Sequence, residues 1–290
     1  MKRFLHIVTV GTSIVRNAKS EVDKALKEGR EHPLVGYADL LEKLVKARPG
    51  SSEDREAALH VPAPNKPMSK FYGLLRDLVY SDPKKYSAEL NAILSYTEYL
   101  HREQGVEEAI HEFKLYTTDS WVCALCGHLI KSYLSMRKFK DVGIEHDVGN
   151  IDIEKIRGWG TNFWLAIIEL IKELEKDLSN RKEYDQVFIN LTGGFKPETG
   201  FLIWASSLFG VDLAYYIHEN IREIVELPLI RTRIAHDYAE ILERVKDIEP
   251  GKIIEDPELT KLTRRIGILH RGRLTKEAIE FIERILEYKC

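Results

Sequence analysis

Short apolar runs rich in β-branched residues alternate along this 290-residue chain with longer stretches whose apolar positions recur at helical spacing. The first run, Phe4-Leu-His-Ile-Val-Thr-Val10, has almost no polar interruption, the pattern of a strand buried on both faces. It stops at Gly11-Thr12-Ser13. Phe113 to Thr117 repeats the pattern, followed by Thr118-Asp119-Ser120 and a helical run from Trp121 to Met136. Lys140 to Val148 reads as a third strand, and Thr161 to Leu178 as an amphipathic helix carrying Phe163, Ile167, Ile168 and Ile171 on one face. Tyr184 to Leu191 reads as a fourth strand leading into Thr192-Gly193-Gly194-Phe195-Lys196. Pro197 then opens a helix to Leu208, placed in the first turn where its missing N–H costs nothing. Val211 to Ile217 and Ile224 to Leu227 read as two further strands joined through His218-Glu-Asn220. Alternating strand and helix predicts an α/β fold with a mostly parallel sheet covered on both faces, a Rossmann-like core over residues 1–230.

Two regions break this pattern. Arg48 to Lys70 is rich in Pro and Ser and reads as a loop or mobile insertion near 48–90, flanked by helices over Leu74 to Tyr80 and Ala88 to Leu100. From Arg231 the strand and helix alternation ends. Tyr238 to Val245 is helical, Glu249-Pro-Gly251 is a stop, and Lys261 to Lys276 carries Lys261, Arg264, Arg265, Arg271, Arg273 and Lys276 with no acid. An amphipathic helix from Glu277 to Tyr288 follows. Residues 231–290 therefore read as a small C-terminal domain like a winged helix, with Gly267 to Leu274 as its hairpin wing and Arg271-Gly272 at the turn.

Charge narrows the chemistry. With 43 Lys and Arg against 46 Asp and Glu, the chain has a formal charge of −3 and no general attraction for polyanions, so any phosphate site must be built locally. No stretch approaches the about 20 apolar residues of a membrane span, and Phe4 to Val10 is too short for a signal-peptide core; the expectation is a cytoplasmic protein. Cys123 and Cys126, one helical turn apart without a second such pair, read as core residues rather than metal ligands. No metal and no cofactor are expected.

The two turns that follow buried strands, Gly11-Thr12-Ser13 and Thr192-Gly193-Gly194-Phe195-Lys196, meet at one sheet edge if their strands are parallel neighbours. Glycine lets backbone approach a ligand, and the helix that follows offers free N–H groups to an anion. Lys196 in a first helical turn opposes the helix dipole, which makes sense where an anionic ligand lies between. The pattern is neither the dinucleotide fingerprint nor a Walker A loop, so NAD and ATP are poor candidates.

Ile7-Val-Thr-Val-Gly-Thr-Ser13, Ser87-Ala-Glu-Leu-Asn91, Thr117-Thr-Asp-Ser120 and above all Asn190-Leu-Thr-Gly-Gly-Phe-Lys-Pro-Glu198 resemble the CRISPR-associated CARF family, in particular its stand-alone ring nucleases. The resemblance covers residues 1–230. It implies a homodimer that binds cyclic tetra-adenylate across its two-fold axis. It also implies metal-independent cleavage to linear oligoadenylate with a 2′,3′-cyclic phosphate, switching off an antiviral signal. Carried onto this chain, the catalytic serine falls on Ser13 and the lysine on Lys196. Ligand-binding candidates are Gly11, Thr12, Arg16 and Asn17 around the first turn, and Thr192, Gly193, Gly194 and Phe195 in the second. Where relatives can carry a base beside the serine, this chain has Ile14. The alternative from a non-enzymatic class is a CARF sensor that regulates transcription through the C-terminal winged helix. DNA binding there is not favoured, because Glu277, Glu280, Glu283 and Glu287 make the last helix acidic. Of the aromatics, Trp159 between two glycines is the best candidate to stack on adenine, and Trp121, Trp164 and Trp204 are expected in the core or a dimer contact. Asp119 could touch ligand from its strand end but reads rather as the N-cap region of the following helix.

Overall fold

The computed structural model describes residues 1–136, 139, 144, 146–193, 196–217, 223–269 and 272–288, the side chains of 196–198 excepted. Six strands form one sheet: β1 (Lys2–Val10), β2 (Ala109–Thr117), β3 (His146–Lys155), β4 (Gln186–Asn190), β5 (Leu213–Ile217) and β6 (Ile224–Pro228), in the order β3-β2-β1-β4-β5-β6. All neighbours are parallel except β5 and β6, the Rossmann-like arrangement expected from the alternating pattern. β1 is central because both of its faces are apolar. Leu5 and Ile7 point into a core shared with Leu170, Leu174 and Leu202, and Val8 and Val10 into the core on the opposite face.

The helices are α1 (Ser13–Glu28), α2 (Ala38–Lys46), α3 (Ser52–Ala58), α4 (Lys70–Ser81), α5 (Pro83–Tyr86), α6 (Ala88–Arg102), α7 (Trp121–Met136), α8 (Phe163–Leu178), α9 (Lys196–Phe209), α10 (His236–Lys246), α11 (Pro257–Arg265) and α12 (Lys276–Leu286). Among the described residues, none is long and apolar enough to cross a membrane. The segment expected to be loop over 48–70 contains α3, started by the Ser51 hydroxyl accepting from the Asp54 N–H. β3 runs from His146 rather than over 140–148, most of which lies outside the described residues; it is an edge strand, and its polar Asp147, Asn150 and Asp152 hide its period. Cys123 and Cys126 are buried on α7, as their spacing suggested, and burial pushes the Cys123 thiol up to about 11.

The last three helices share a core with the sheet domain. Ile167, Ile168 and Ile171 of α8 pack among Leu242 and Val245 of α10 and Ile282 and Ile285 of α12. Arg284 pairs with Glu175 at 2.5 Å and Lys172 with Glu280 at 2.8 Å across the same contact. Of the expected wing, His270 and Arg271 lie outside the described residues; the Leu274 carbonyl accepts from the Gly251 N–H at 2.8 Å.

Candidate functional site

The strand order reverses between β1 and β4, and open α/β sheets bind ligands beyond the carboxyl ends of strands at that point. Val8 stands opposite Asn190, so the turns after the two strands lie side by side. The Thr9 hydroxyl joins them, donating to the Asn190 carbonyl (3.1 Å) and the Gly193 carbonyl (2.5 Å). Gly193 has to be glycine: a Cβ there would lie 2.5 Å from the Thr9 carbonyl and 2.9 Å from the Gly11 nitrogen, both backbone. The sequence-predicted convergence of Gly11, Ser13, Thr192 and Gly193 is therefore the geometry found.

A carboxylate sits at the centre of this cluster. Glu89, 1% exposed in the first turn of α6, accepts from the Gly11 N–H (2.9 Å) on Oε1. On Oε2 it accepts from the Ser13 hydroxyl (2.6 Å) and the Ser87 hydroxyl (3.1 Å). The Ala88 N–H in turn donates to Ser13 Oγ at 3.2 Å. Ser13 is itself 8% exposed. Sequence reasoning missed Glu89 as a site residue, although it stands in the quoted Ser87-Ala-Glu-Leu-Asn91 segment. An acid just after a serine cap has a sufficient local explanation in the helix dipole.

The other candidates divide. The Thr192 N–H donates to Asn190 Oδ1 at 2.9 Å, and Thr192 Oγ1 is buried with no hydrogen-bond partner among the described residues. The Thr12 carbonyl accepts from the Arg16 N–H, and the Arg16 side chain is exposed on α1. Asn17 is not brought to the turns: its amide donates to the Lys85 and Tyr86 carbonyls, tying α1 to the segment that carries Glu89. Lys196 is the first residue of α9, at the same sheet edge. Gly194, Phe195 and the Lys196 side chain lie outside the described residues.

Beneath the cluster runs a buried chain of histidines from adjacent strands. His146 Nε2 lies 3.0 Å from the Val106 carbonyl, His146 Nδ1 3.0 Å from His111 Nε2, His111 Nδ1 2.8 Å from His6 Nε2, and His6 Nδ1 3.0 Å from the Tyr215 hydroxyl. A carbonyl can only accept, so with neutral rings each Nε2 donates and each Nδ1 accepts, and the Tyr215 O–H completes the series. Burial keeps the rings neutral, holding His6 down to about 3 and lowering His111 and His146 as well. Asn190 hydrogen-bonds Tyr215 and donates to the Glu89 carbonyl at 3.3 Å, so this chain ends on the residue that orients the second turn.

The turn after β2 is built differently. Asp54 of α3, 1% exposed, accepts on Oδ1 from the Ser120 hydroxyl (2.7 Å) and from the N–H groups of Trp121 (2.9 Å) and Val122 (3.2 Å). Asp54 closes the N-terminus of α7 together with the Ser120 hydroxyl, which accepts from the Val122 (3.1 Å) and Cys123 (3.4 Å) N–H groups; Asp119 does not. Asp119 instead accepts from the Gly158 N–H at 3.3 Å and pairs with Lys155 at 3.1 Å. Trp159 does not face a ligand; it is 1% exposed among Leu5, Ile7 and Tyr116, because its flanking glycines fold it under the sheet edge. The aromatic left half-open at this edge is Trp121, 38% exposed with the Lys155 ammonium 4.5 Å from its ring centre. Trp164 and Trp204 both pack on Phe281 of α12.

Residues 84–230, just over half of the chain, match a family model described as CRISPR-associated protein (Cas_APE2256). The matched segment includes Glu89, Asn190 and the Thr192 turn, and stops where the C-terminal helices begin.

Proposed function

The chain belongs to the CRISPR-associated Cas_APE2256 family, and on that premise we propose that it is a ring nuclease that binds cyclic tetra-adenylate and opens it without a metal. What carries the reading is the meeting of two strand-to-helix turns, Gly11 to Ser13 and Thr192 to Gly193, where the strand order reverses. Such a site holds a phosphate with backbone N–H groups and uncapped helix ends, and Thr12 gives α1 no side-chain cap. A homodimer presents the same turns twice, matching a ring that repeats its own phosphates.

In the proposed reaction a ribose 2′-hydroxyl attacks the adjacent phosphorus in line with the P–O5′ bond. The products are a 2′,3′-cyclic phosphate and a 5′-hydroxyl. Holding that alignment removes an entropic barrier. Ser13 fixes the attacking ribose, and Lys196 supplies positive charge for the oxygens of the phosphorane. The outcome is an antiviral signal switched off.

The test is incubation of labelled cyclic tetra-adenylate in EDTA with wild type, Ser13→Ala and Lys196→Ala. Wild type yields the linear cyclic-phosphate product and both variants lose at least about 100-fold in rate. Binding without turnover in all three removes the enzyme, and unchanged turnover in Lys196→Ala removes the site. Binding without turnover would favour the second reading, a CARF sensor acting on DNA. Its supporting observation is the exposed face of α11, where Lys261, Arg264 and Arg265 have no acidic partner among the described residues.

A further inference from the structure

We propose that Glu89 is the proton acceptor standing behind Ser13, so that serine and carboxylate form a relay that activates the ribose 2′-hydroxyl; this rests on the ring-nuclease reading above. A serine hydroxyl has one proton to give and two lone pairs to accept with. Here the proton is given to Glu89 Oε2 at 2.6 Å, and one lone pair takes the Ala88 N–H at 3.2 Å. What Ser13 has left for a ligand is a single acceptor site. A phosphate oxygen has no proton to offer it at neutral pH, whereas a ribose hydroxyl does. Ser13 is thus matched to the attacking hydroxyl, and its short bond to a carboxylate gives the proton somewhere to go.

Among the described residues nothing else in the arrangement competes for that role. Glu89 is almost wholly removed from solvent, and its two oxygens are held by Gly11, Ser87 and Ser13. Gly193 packs close enough that a Cβ there would lie 2.7 Å from Glu89 Oε1, so the carboxylate is tied into both turns at once. Glu89 does not reach the ring; it acts through Ser13, which it positions and polarises.

The step balances. The 2′-O–H bond breaks and its proton passes to Ser13 Oγ as the Ser13 proton passes to Glu89 Oε2. The 2′-oxygen forms its bond to phosphorus, the P–O5′ bond breaks, and its electron pair stays on O5′. That oxygen takes a proton from solvent, and Glu89 returns its own to solvent through Ser13 after product leaves. No proton is gained or lost overall, as an internal transesterification requires.

Glu89→Gln keeps the shape and an accepting oxygen but cannot take up a proton. With cyclic tetra-adenylate in EDTA, kcat is expected to fall about 100-fold or more while the Kd for the ring is unchanged. Ser13→Ala, which leaves Glu89 bonded to Gly11 and Ser87, should lose kcat to the same extent, with Kd raised less than about tenfold by the one hydrogen bond removed, and it keeps the relay falsifiable if Glu89→Gln does not fold. Wild-type kcat in either variant overturns the relay, as does a loss confined to binding. A wild type that binds or ignores the ring without cutting it overturns the ring-nuclease reading and the relay together. A wild type that cuts, beside a Glu89→Gln that cuts equally, removes only the relay.

Discussion

The turns after β1 and β2 have the same ingredients and opposite states. Each follows a buried parallel strand, each carries Thr and Ser before a helix, and each receives a buried carboxylate from the long segment between the two strands. Asp54 accepts directly from the first N–H groups of α7, so that helix end is already occupied by an anion. Glu89 stops one step short, on the Gly11 N–H and the Ser13 hydroxyl, and α1 has no side-chain cap. The same affinity of a helix start for negative charge is thus consumed inside the protein at one turn and left available at the other. For the proposed function, this asymmetry favours the β1 and β4 side of the edge over the β2 side as the place where the ligand binds.

The largest effect expected from breaking this comparison is on stability. Asp54→Ala leaves the Trp121 N–H, the Ser120 hydroxyl and the Gly50 N–H without their acceptor, and leaves the Val122 N–H only Ser120 Oγ at 3.1 Å. A loss of about 3 kcal/mol is expected in urea unfolding, with ring cleavage by the folded fraction close to wild type. A collapse of cleavage at little cost in stability would mean that the two turns are not divided in this way.

A smaller effect, on the other turn, comes from acid. His6, His111 and His146 are neutral when folded and titrate near 6.5 when unfolded, so the unfolded chain binds more protons as pH falls. Stability is therefore full above about 6.5, and is lost progressively as pH falls toward the depressed folded values, about 3 for His6. Between pH 7 and pH 6 His6 alone accounts for under about 1 kcal/mol, and the lowered His111 and His146 act in the same direction. Because the chain ends on Tyr215 and Asn190, hydrogen exchange should lose protection at the Thr192 amide before the Val122 amide. Equal loss at both sites would show that the histidines support the whole sheet alike.

How much of this was readable beforehand follows the same division. The convergence of the Gly11 and Gly193 turns was legible because Phe4 to Val10 and Tyr184 to Leu191 both read as mainly apolar strands, and parallel neighbours bring their ends together. The carboxylates were not. Asp54 sits three residues after the Ser51 cap and Glu89 two after the Ser87 cap, positions where an acid is explained by its own helix. Their second, tertiary role depends on where α3 and α6 dock, which no local pattern records. Trp159 misled for a related reason: flanking glycines suggested access for a ligand, yet with φ of +79° and +87° at Gly158 and Gly160 they turn the ring inward.

The smallest perturbation is the most discriminating. Trp121 and Lys155 form an exposed aromatic and cation at the β2 and β3 end, a place that a base and a phosphate could both touch. The pair and its Asp119 partner are solvent-facing, so Lys155→Ala should cost under about 1 kcal/mol. If the ligand keeps to the β1 and β4 turns, ring affinity and cleavage rate in this variant stay at wild-type values. A tenfold or greater weakening of ring binding, about 1.4 kcal/mol, would place a nucleotide over α7 despite its occupied N-terminus. Trp121→Ala separates the two ways that could arise. An equal loss in that variant assigns the contact to base stacking on the ring, and its absence assigns it to the ammonium charge alone.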